Sequence, residues 1–371
     1  MRHYLDHAST SPARAEVVEA MVPWLANAAD PGRVHTEGRV ARGAVEEARE
    51  RVAALVGARA REVVFTSGAT EAINAAVWGA VESGRGRHVV CPAVEHSAVR
   101  DAAARCDVTW VGVDHLGRVD SGELLSAVRP DTALVNLQWG NHEVGTLQPV
   151  ASVVAECRER GVLVHVDAAQ AAGHVPIDFA AVGADLLSVS GHKFGGPQGV
   201  GALLVRRGLR LPPLLVGGEQ ERARRAGMEN VAAIAGFGAA ASVLAEPGRL
   251  EGEASAARAQ TARVLENLPA GVVSYGDTDV RLPHLVCVGV EGVEAEAVLL
   301  GLDQAGIAAH SGSACSSESL EPSPVLEAMG VDAERSLRVS VGWSTTDDDV
   351  DAFLSAFPDV VSRLRALGAA G

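Results

Sequence analysis

Of the 32 lysine and arginine residues in this 371-residue chain, one is a lysine, Lys193. A guanidinium stays protonated, whereas an ε-amine can lose its proton where its site lowers the pKa and can then attack a carbonyl. A sole Lys therefore reads as a position where Arg cannot serve, with a Schiff-base lysine as the leading chemistry. A drift towards Arg-rich composition would leave the same count, so the neighbours decide. Lys193 lies in Ser190-Gly191-His192-Lys193, directly after the apolar run Ala184–Val189. That places it just past the C-terminal end of a predicted strand, the edge at which open α/β sheets bind ligands.

Two further motifs suit the same chemistry. Ser67-Gly68-Ala69-Thr70 falls at a strand-to-helix junction, where small residues let backbone N–H groups approach an anion and the helix dipole favours negative charge. An ordinary capped turn has the same composition. Asp167 ends the apolar run of Val164-His165-Val166-Asp167-Ala168-Ala169-Gln170, where a buried carboxylate needs a cationic or donor partner. A protonated pyridine nitrogen would supply one; a helix N-cap is the plainer reading. A phosphate cradle, an acid for a ring nitrogen and a Schiff-base lysine together specify pyridoxal 5′-phosphate (PLP). A fourth segment, Ser311-Gly312-Ser313-Ala314-Cys315-Ser316-Ser317, sets a thiol among Gly and Ser, unlike Cys91 and Cys287 in apolar strands. An accessible thiol of this kind suits nucleophilic attack.

The elements that must position these residues alternate. Apolar runs at Glu62–Phe65, His88–Cys91, Val108–Val111, Ala133–Leu137, Leu163–Val166, Leu186–Val189 and Val200–Val205 read as strands, with helical segments such as Gly38–Val56 before or between them. The pattern predicts an α/β fold with a mainly parallel seven-stranded sheet between helices. Beyond residue 245 it changes to a charged helix, Glu251–Leu268, followed by shorter elements. We therefore divide the chain into a large domain, 13–245, and a smaller C-terminal α/β domain, 246–371, joined by the N-terminal segment 1–12.

Composition narrows the function classes. Hydrophobic residues at 47% and charged residues at 21% fit an ordered globular protein. The net charge of −15 argues against direct nucleic-acid binding and against an anionic membrane surface. The uncharged stretch Asn230–Ala245 is short for a bilayer span and reads as a buried helix. Five cysteines with no CxxC pair, behind an N-terminus without a signal-peptide core, point to reduced thiols, no metal and a cytoplasmic location.

Taken in order, Thr66-Ser67-Gly68-Ala69-Thr70-Glu71, Glu95-His96, His165-Val166-Asp167-Ala168-Ala169-Gln170, Ser190-Gly191-His192-Lys193 and Ser311-Gly312-Ser313-Ala314-Cys315 resemble the cysteine desulfurases. These are PLP enzymes of aminotransferase class V and fold type I. The likeness runs from Tyr4-Leu5-Asp6 to Arg338-Val339-Ser340-Val341-Gly342, and Leu320-Glu321-Pro322-Ser323 after the cysteine resembles the subgroup with the longer catalytic loop. The resemblance implies that Lys193 holds PLP, Asp167 pairs with its ring nitrogen and His96 stacks on the ring and moves protons. It implies that Gln170, with Asn141 and His142, lies at the phenolic oxygen, and that Thr70, Ser190 and His192 hold the phosphate with the backbone of Gly68 and Ala69. Arg338, aided by Asn141, would clamp the carboxylate of L-cysteine. Cys315 would take the sulfur as a persulfide, leaving alanine, and pass it to an acceptor protein whose identity the sequence leaves open. A homodimer is implied as well. Selenocysteine lyase, another PLP lyase or aminotransferase, and a non-catalytic partner subunit are the competing readings. Iron–sulfur cluster assembly, tRNA or DNA thio-modification and metabolite synthesis are all open as destinations for the sulfur.

Several positions depart from the family pattern. His142 stands where a second asparagine is usual, and an imidazole can still donate a hydrogen bond there. Met228 replaces a threonine that reaches the partner's phosphate, a loss of about 0.5–1.5 kcal/mol if nothing compensates. Asp30 stands for an asparagine, with Arg33 the nearby cation to neutralise it. The sequence stops at Gly371, without the longer tail some relatives use to bind scaffold proteins.

Overall fold

A computed structural model describes residues 2–28, 30–84, 86–311 and 322–369. All seven predicted strands form, and they form one sheet. Its spatial order is Val63–Thr66, Gly201–Val205, Leu186–Ser190, Leu163–Asp167, Thr132–Gln138, His88–Pro92 and Asp107–Val111. The last five run parallel to one another. Gly201–Val205 departs from that direction, lying antiparallel to both neighbours. The turn from Ser190 back to Gly201 is too short for a crossover helix, so the chain can only reverse. Apart from Leu163 the central strands are buried along their length, as helices on both faces require. The stretch read as a buried helix is the helix Val231–Leu244, almost wholly buried. Among the described residues no single helix is long and apolar enough to cross a membrane.

A second sheet of four antiparallel strands follows, in the order His310–Ser311, Ser336–Ser340, Leu285–Val290 and Val272–Tyr275. Helices Arg249–Glu266, Ala295–Gln304 and Asp347–Ala369 accompany it. Its own core includes Val286, Val288, Leu337, Val339, Phe353 and Phe357, with Leu5 from the N-terminus. The N-terminal strand His3–Tyr4 pairs in parallel with Ile307–Ala308. Residues 6–11 then run back to the large sheet, where Ser11 N donates to the His192 carbonyl at 2.9 Å.

Ahead of Val231–Leu244 the backbone makes an uncommon turn. Glu221, Arg222 and Ala223 are all left-handed, with φ of 48°, 59° and 60°. L residues visit this region as single residues, at a cost of roughly 1–2 kcal/mol each. A buried ion pair holds the turn. Arg49 meets both oxygens of Glu221 at 2.6 and 2.7 Å, and Phe65 N donates to Glu221 Oε2 at 2.9 Å. Ala223 has no such tether, so Ala223→Gly should stabilise the protein by about 1 kcal/mol. A higher urea midpoint at unchanged slope would bear this out, whereas a lower midpoint would contradict the strain.

Buried imidazoles set the response to acid. Burial pushes His7 and His165 down to about 4 and drives His284 well below the ordinary value. Between pH 4 and 6.5 the unfolded chain thus binds more protons at these positions than the folded one, and stability must fall as pH drops through that window. Thermal melts of the apoprotein should decline from pH 6.5 to 4.5, and His165→Gln should flatten the decline. A melting temperature independent of pH across this range would contradict it.

Candidate active site

Lys193 sits on the single turn Gly191–Phe194 that follows strand Leu186–Ser190, where the sequence places it. Its side chain lines a cavity of about 480 Å³ at the C-terminal ends of the parallel strands. The same wall carries Gly68, Ala69, Thr70, His96, His142, Asp167, Gln170, Ser190 and His192. Residues more than 120 positions apart thus meet in one place. The Lys193 Nζ donates to the carbonyls of Ala8 at 2.6 Å and Ser9 at 3.2 Å.

One end of the cavity is an anion cradle. The helix Ala69–Glu82 starts without a side-chain cap, so its first N–H groups are open. Gly68 holds a φ of 157° that side-chain-bearing residues rarely adopt. Gly201 permits the neighbouring strand to approach, since a Cβ there would stand 2.7 Å from the Gly68 carbonyl carbon. Ser190 Oγ, buried on the wall, has no hydrogen-bond partner among the described residues. His192 Nδ1 lies 3.2 Å from Thr10 Oγ1, and burial, reinforced by the Lys193 charge, pushes this imidazole down to about 4. It is therefore a neutral hydrogen-bonding group at pH 7.

The other end is carboxylate and imidazole. Asp167 Oδ1 accepts from Ser188 Oγ at 2.9 Å and from Ala169 N at 3.0 Å, and Oδ2 is left for a donor in the cavity. His96 caps the helix Ser97–Ala103 through Nδ1, which accepts from Ala98 N at 3.1 Å. That bond leaves Nε2 for a proton. The His96 and His142 rings meet edge to face, centroids 4.9 Å apart. Behind them Glu95 is fully buried and pushed up to about 8, by burial first and then by the charge of Asp167, so it is neutral at pH 7. Gln170 Nε2 donates to the Ala8 carbonyl at 2.8 Å, and its Oε1 has no partner among the described residues.

These features fit PLP. Open N–H groups and the unsatisfied Ser190 hydroxyl suit a phosphate and Asp167 suits a protonated ring nitrogen, whereas Gln170, whose unpaired atom is the acceptor Oε1, would donate to a ring oxygen only with its amide ends exchanged and the Ala8 bond given up. Lys193 would hold the group, and His96 would lie against its ring.

Other expected residues are placed differently. Asn141 does not line the cavity; its Oδ1 accepts from Glu143 N and Val144 N at 2.8 Å, and its Nδ2 donates to the Val94 carbonyl at 3.2 Å. The amide is spent on bracing the 141–145 turn. Arg338 is also off the wall and 1% exposed. It donates to the His142 carbonyl at 2.9 Å, to Asp6 Oδ1 at 3.0 Å and to Ser9 Oγ at 2.6 Å, and its Nε is buried without a partner among the described residues. Asp30 is neutralised by Arg33 at 2.8 Å, as its position suggested. Met228 is 64% exposed and lies outside the main cavity. Cys315 lies outside the described residues. Ser323 donates through its hydroxyl to Glu143 Oε2 at 2.5 Å and caps the helix Pro324–Ala328.

Sequence reasoning gave no role to Gln138, which lines the cavity, or to Asn136 and Ser188 behind it. The signal available was period two. Asn136 and Gln138, His165 and Asp167, and Ser188 and Ser190 are polar pairs two apart inside apolar strands, each on one face of the sheet.

Comparison with known proteins agrees with this geometry. The family model described as aminotransferase class V matches residues 3–353. The cysteine desulfurase IscS of Methanosarcina thermophila is 40% identical over 379 residues, covering 98% of this chain and 92% of its own. The putative cysteine desulfurase IscS 1 of Bacillus subtilis is 41% identical over 376 residues, covering 98% and 99%. Among solved structures, a NifS-like protein superposes with a TM-score of 0.91 at 32% identity, covering 98% of this chain and all of that one. SspA, solved in complex with cysteine, gives 0.81 at 31% identity, covering 91% and 98%. Fold, cavity and relatives agree, and the chain belongs to the cysteine desulfurases of the aminotransferase class V family.

Proposed function

We propose that this protein is a PLP-dependent cysteine desulfurase that converts L-cysteine to L-alanine and carries the sulfur as a persulfide on Cys315. The observation that supports this most is that the chain's sole lysine opens on the same cavity as Asp167 and the Gly68 cradle. When bound, PLP supplies an electron sink for bond cleavage at the amino-acid carbons. The protein's part is to hold and to move protons. Asp167 keeps a cation at the ring nitrogen. The Ala69–Glu82 helix start, Ser190 and His192 hold the phosphate. His96, with Nδ1 fixed by Ala98 N, presents Nε2 as the proton carrier. Arg338 is suited to the substrate carboxylate by its bidentate fork, and a carboxylate there displaces Asp6.

The sulfur step balances without an external oxidant. The Cys315 thiolate attacks the substrate sulfur, a new S–S bond forms, and the Cβ–S bond breaks with its electron pair left on carbon. A proton then completes the methyl group of alanine. The persulfide sulfur passes to an acceptor protein. A homodimer is part of the proposal, supported by Leu215, Val216 and Met228, each of which is exposed in the stretch that precedes Val231–Leu244.

Cys315→Ser should reduce sulfide release from L-cysteine to background while PLP binding and its response to amino acids persist. Desulfuration that survives in this variant would refute the persulfide and favour a lyase of another kind. Arg338→Ala should raise KM for L-cysteine by roughly tenfold or more, as expected for a lost charged hydrogen bond, with a smaller effect on kcat. An unchanged KM would remove Arg338 from substrate binding.

A further inference from the structure

Asp167 is one end of a buried polar chain. Parallel register sets Asn136 beside His165 and Asp167 beside Ser188. Alternate residues of a strand share a face, so His165 and Asp167 project together between their neighbours. Ser188 Oγ lies 2.9 Å from Asp167 Oδ1, and His165 Nε2 lies 3.2 Å from Ser188 Oγ. His165 Nδ1 is 2.9 Å from Asn136 Oδ1, and Asn136 Nδ2 is 3.3 Å from Cys91 Sγ. Cys91, Asn136, His165 and Ser188 have no exposed surface, and none of them lines the cavity. Apolar side chains would fill the same space at less cost in desolvation, so packing does not account for four polar groups in series.

Proton counting gives the chain a direction. A neutral imidazole has one donor and one acceptor. When Asp167 is ionised, the Ser188 hydroxyl must donate to it, so Ser188 Oγ accepts from His165 Nε2–H. His165 Nδ1 must then accept, which requires the Asn136 amide ends to exchange from their placement in the structure, with NH2 towards Nδ1 and the oxygen towards the Cys91 thiol. Every proton now points at Asp167. When Asp167 is protonated the order reverses: Asp167 donates to Ser188, Ser188 to Nε2, Nδ1–H to the Asn136 oxygen, and the NH2 faces sulfur. Rotation of one hydroxyl, a tautomer change and an exchange of the amide's ends interconvert the two.

We propose that Ser188, His165 and Asn136 are positioning residues that hold Asp167 ionised and thereby keep a proton on the ring nitrogen of bound PLP. This rests on the reading that the ring nitrogen meets Asp167. Burial keeps His165 neutral, so it relays polarity rather than adding a counter-charge, and burial pushes the Cys91 thiol up, so it keeps its proton and can donate once the Asn136 oxygen faces it. Of the other titratable groups around Asp167, Glu95 is neutral at pH 7, and His96 and His142 share the cavity wall.

The test uses the full-length protein reconstituted with PLP labelled with 15N in the ring, whose chemical shift reports protonation of that nitrogen. In Ser188→Ala the nitrogen should lose its proton about one pH unit lower than in the wild type, the scale of one hydrogen bond to a charged group. PLP affinity should fall about tenfold with it, and Ser188→Thr should restore both. Asn136→Leu, two bonds further from the carboxylate, should shift the midpoint the same way by less, so a folding defect in one variant does not leave the question open. Bound PLP whose nitrogen titrates identically in the wild type, Ser188→Ala and Asn136→Leu would overturn the inference. A wild type that binds PLP with its nitrogen unprotonated would instead overturn the placement of that nitrogen at Asp167.

Discussion

The negative charge on Asp167 is the constraint around which the site is organised. A carboxylate at the end of a central parallel strand, 8% exposed, is stable only if its surroundings supply donors and a cation. The sheet supplies Ser188 from the next strand, and the turn supplies Ala169 N. The cavity must supply the rest. Burial first, and the Asp167 charge second, keep the neighbouring Glu95 in its acid form. One ionised group and one neutral group, side by side, give the cavity a negative pole opposite an anion cradle, while Glu71, also on the wall, is paired with Arg225. A zwitterion-like ligand with a cationic ring and a phosphate tail suits that polarity.

Residues 6–11 are the second organising feature. The carbonyls of Ala8 and Ser9 take the Lys193 amine, Ala8 also takes the Gln170 amide, Thr10 meets His192, and Asp6 and Ser9 take Arg338. One short strap from the N-terminus therefore touches the residues expected to hold cofactor and substrate. Because His3–Tyr4 is fixed to Ile307–Ala308 in the second half of the chain, the strap couples the small sheet to the cavity of the large one. A substrate carboxylate at Arg338 has to compete with Asp6, which relates substrate binding to the position of the strap.

Much of this was legible in the sequence because it depends on local order. Apolar runs gave all seven strands of the large sheet, and the residues at their C-terminal ends, Asp167 and Lys193, needed only the edge rule to be brought together. What was illegible depends on pairing. The reversal of Gly201–Val205 follows from how the chain leaves the Lys193 turn, and no periodicity encodes it. Asn141 matched a family motif, yet its amide braces a turn, because two backbone N–H groups there have nearer claims on it. Arg338 finds Asp6 across 332 residues, a partner that only the tertiary fold supplies. The relay behind Asp167 was visible as polar pairs two residues apart, but joining three such pairs required the strand register.

The central claim is that this cavity uses PLP to take sulfur from L-cysteine. The most direct measurement is the visible absorption spectrum of the purified protein before and after L-cysteine is added, with alanine and sulfide quantified in the same samples. The account predicts a bound-PLP band that changes on addition of L-cysteine, with alanine and reductant-dependent sulfide formed in equal amounts. Absence of a PLP band after the cofactor is supplied, or a PLP band with no alanine formed, would contradict it.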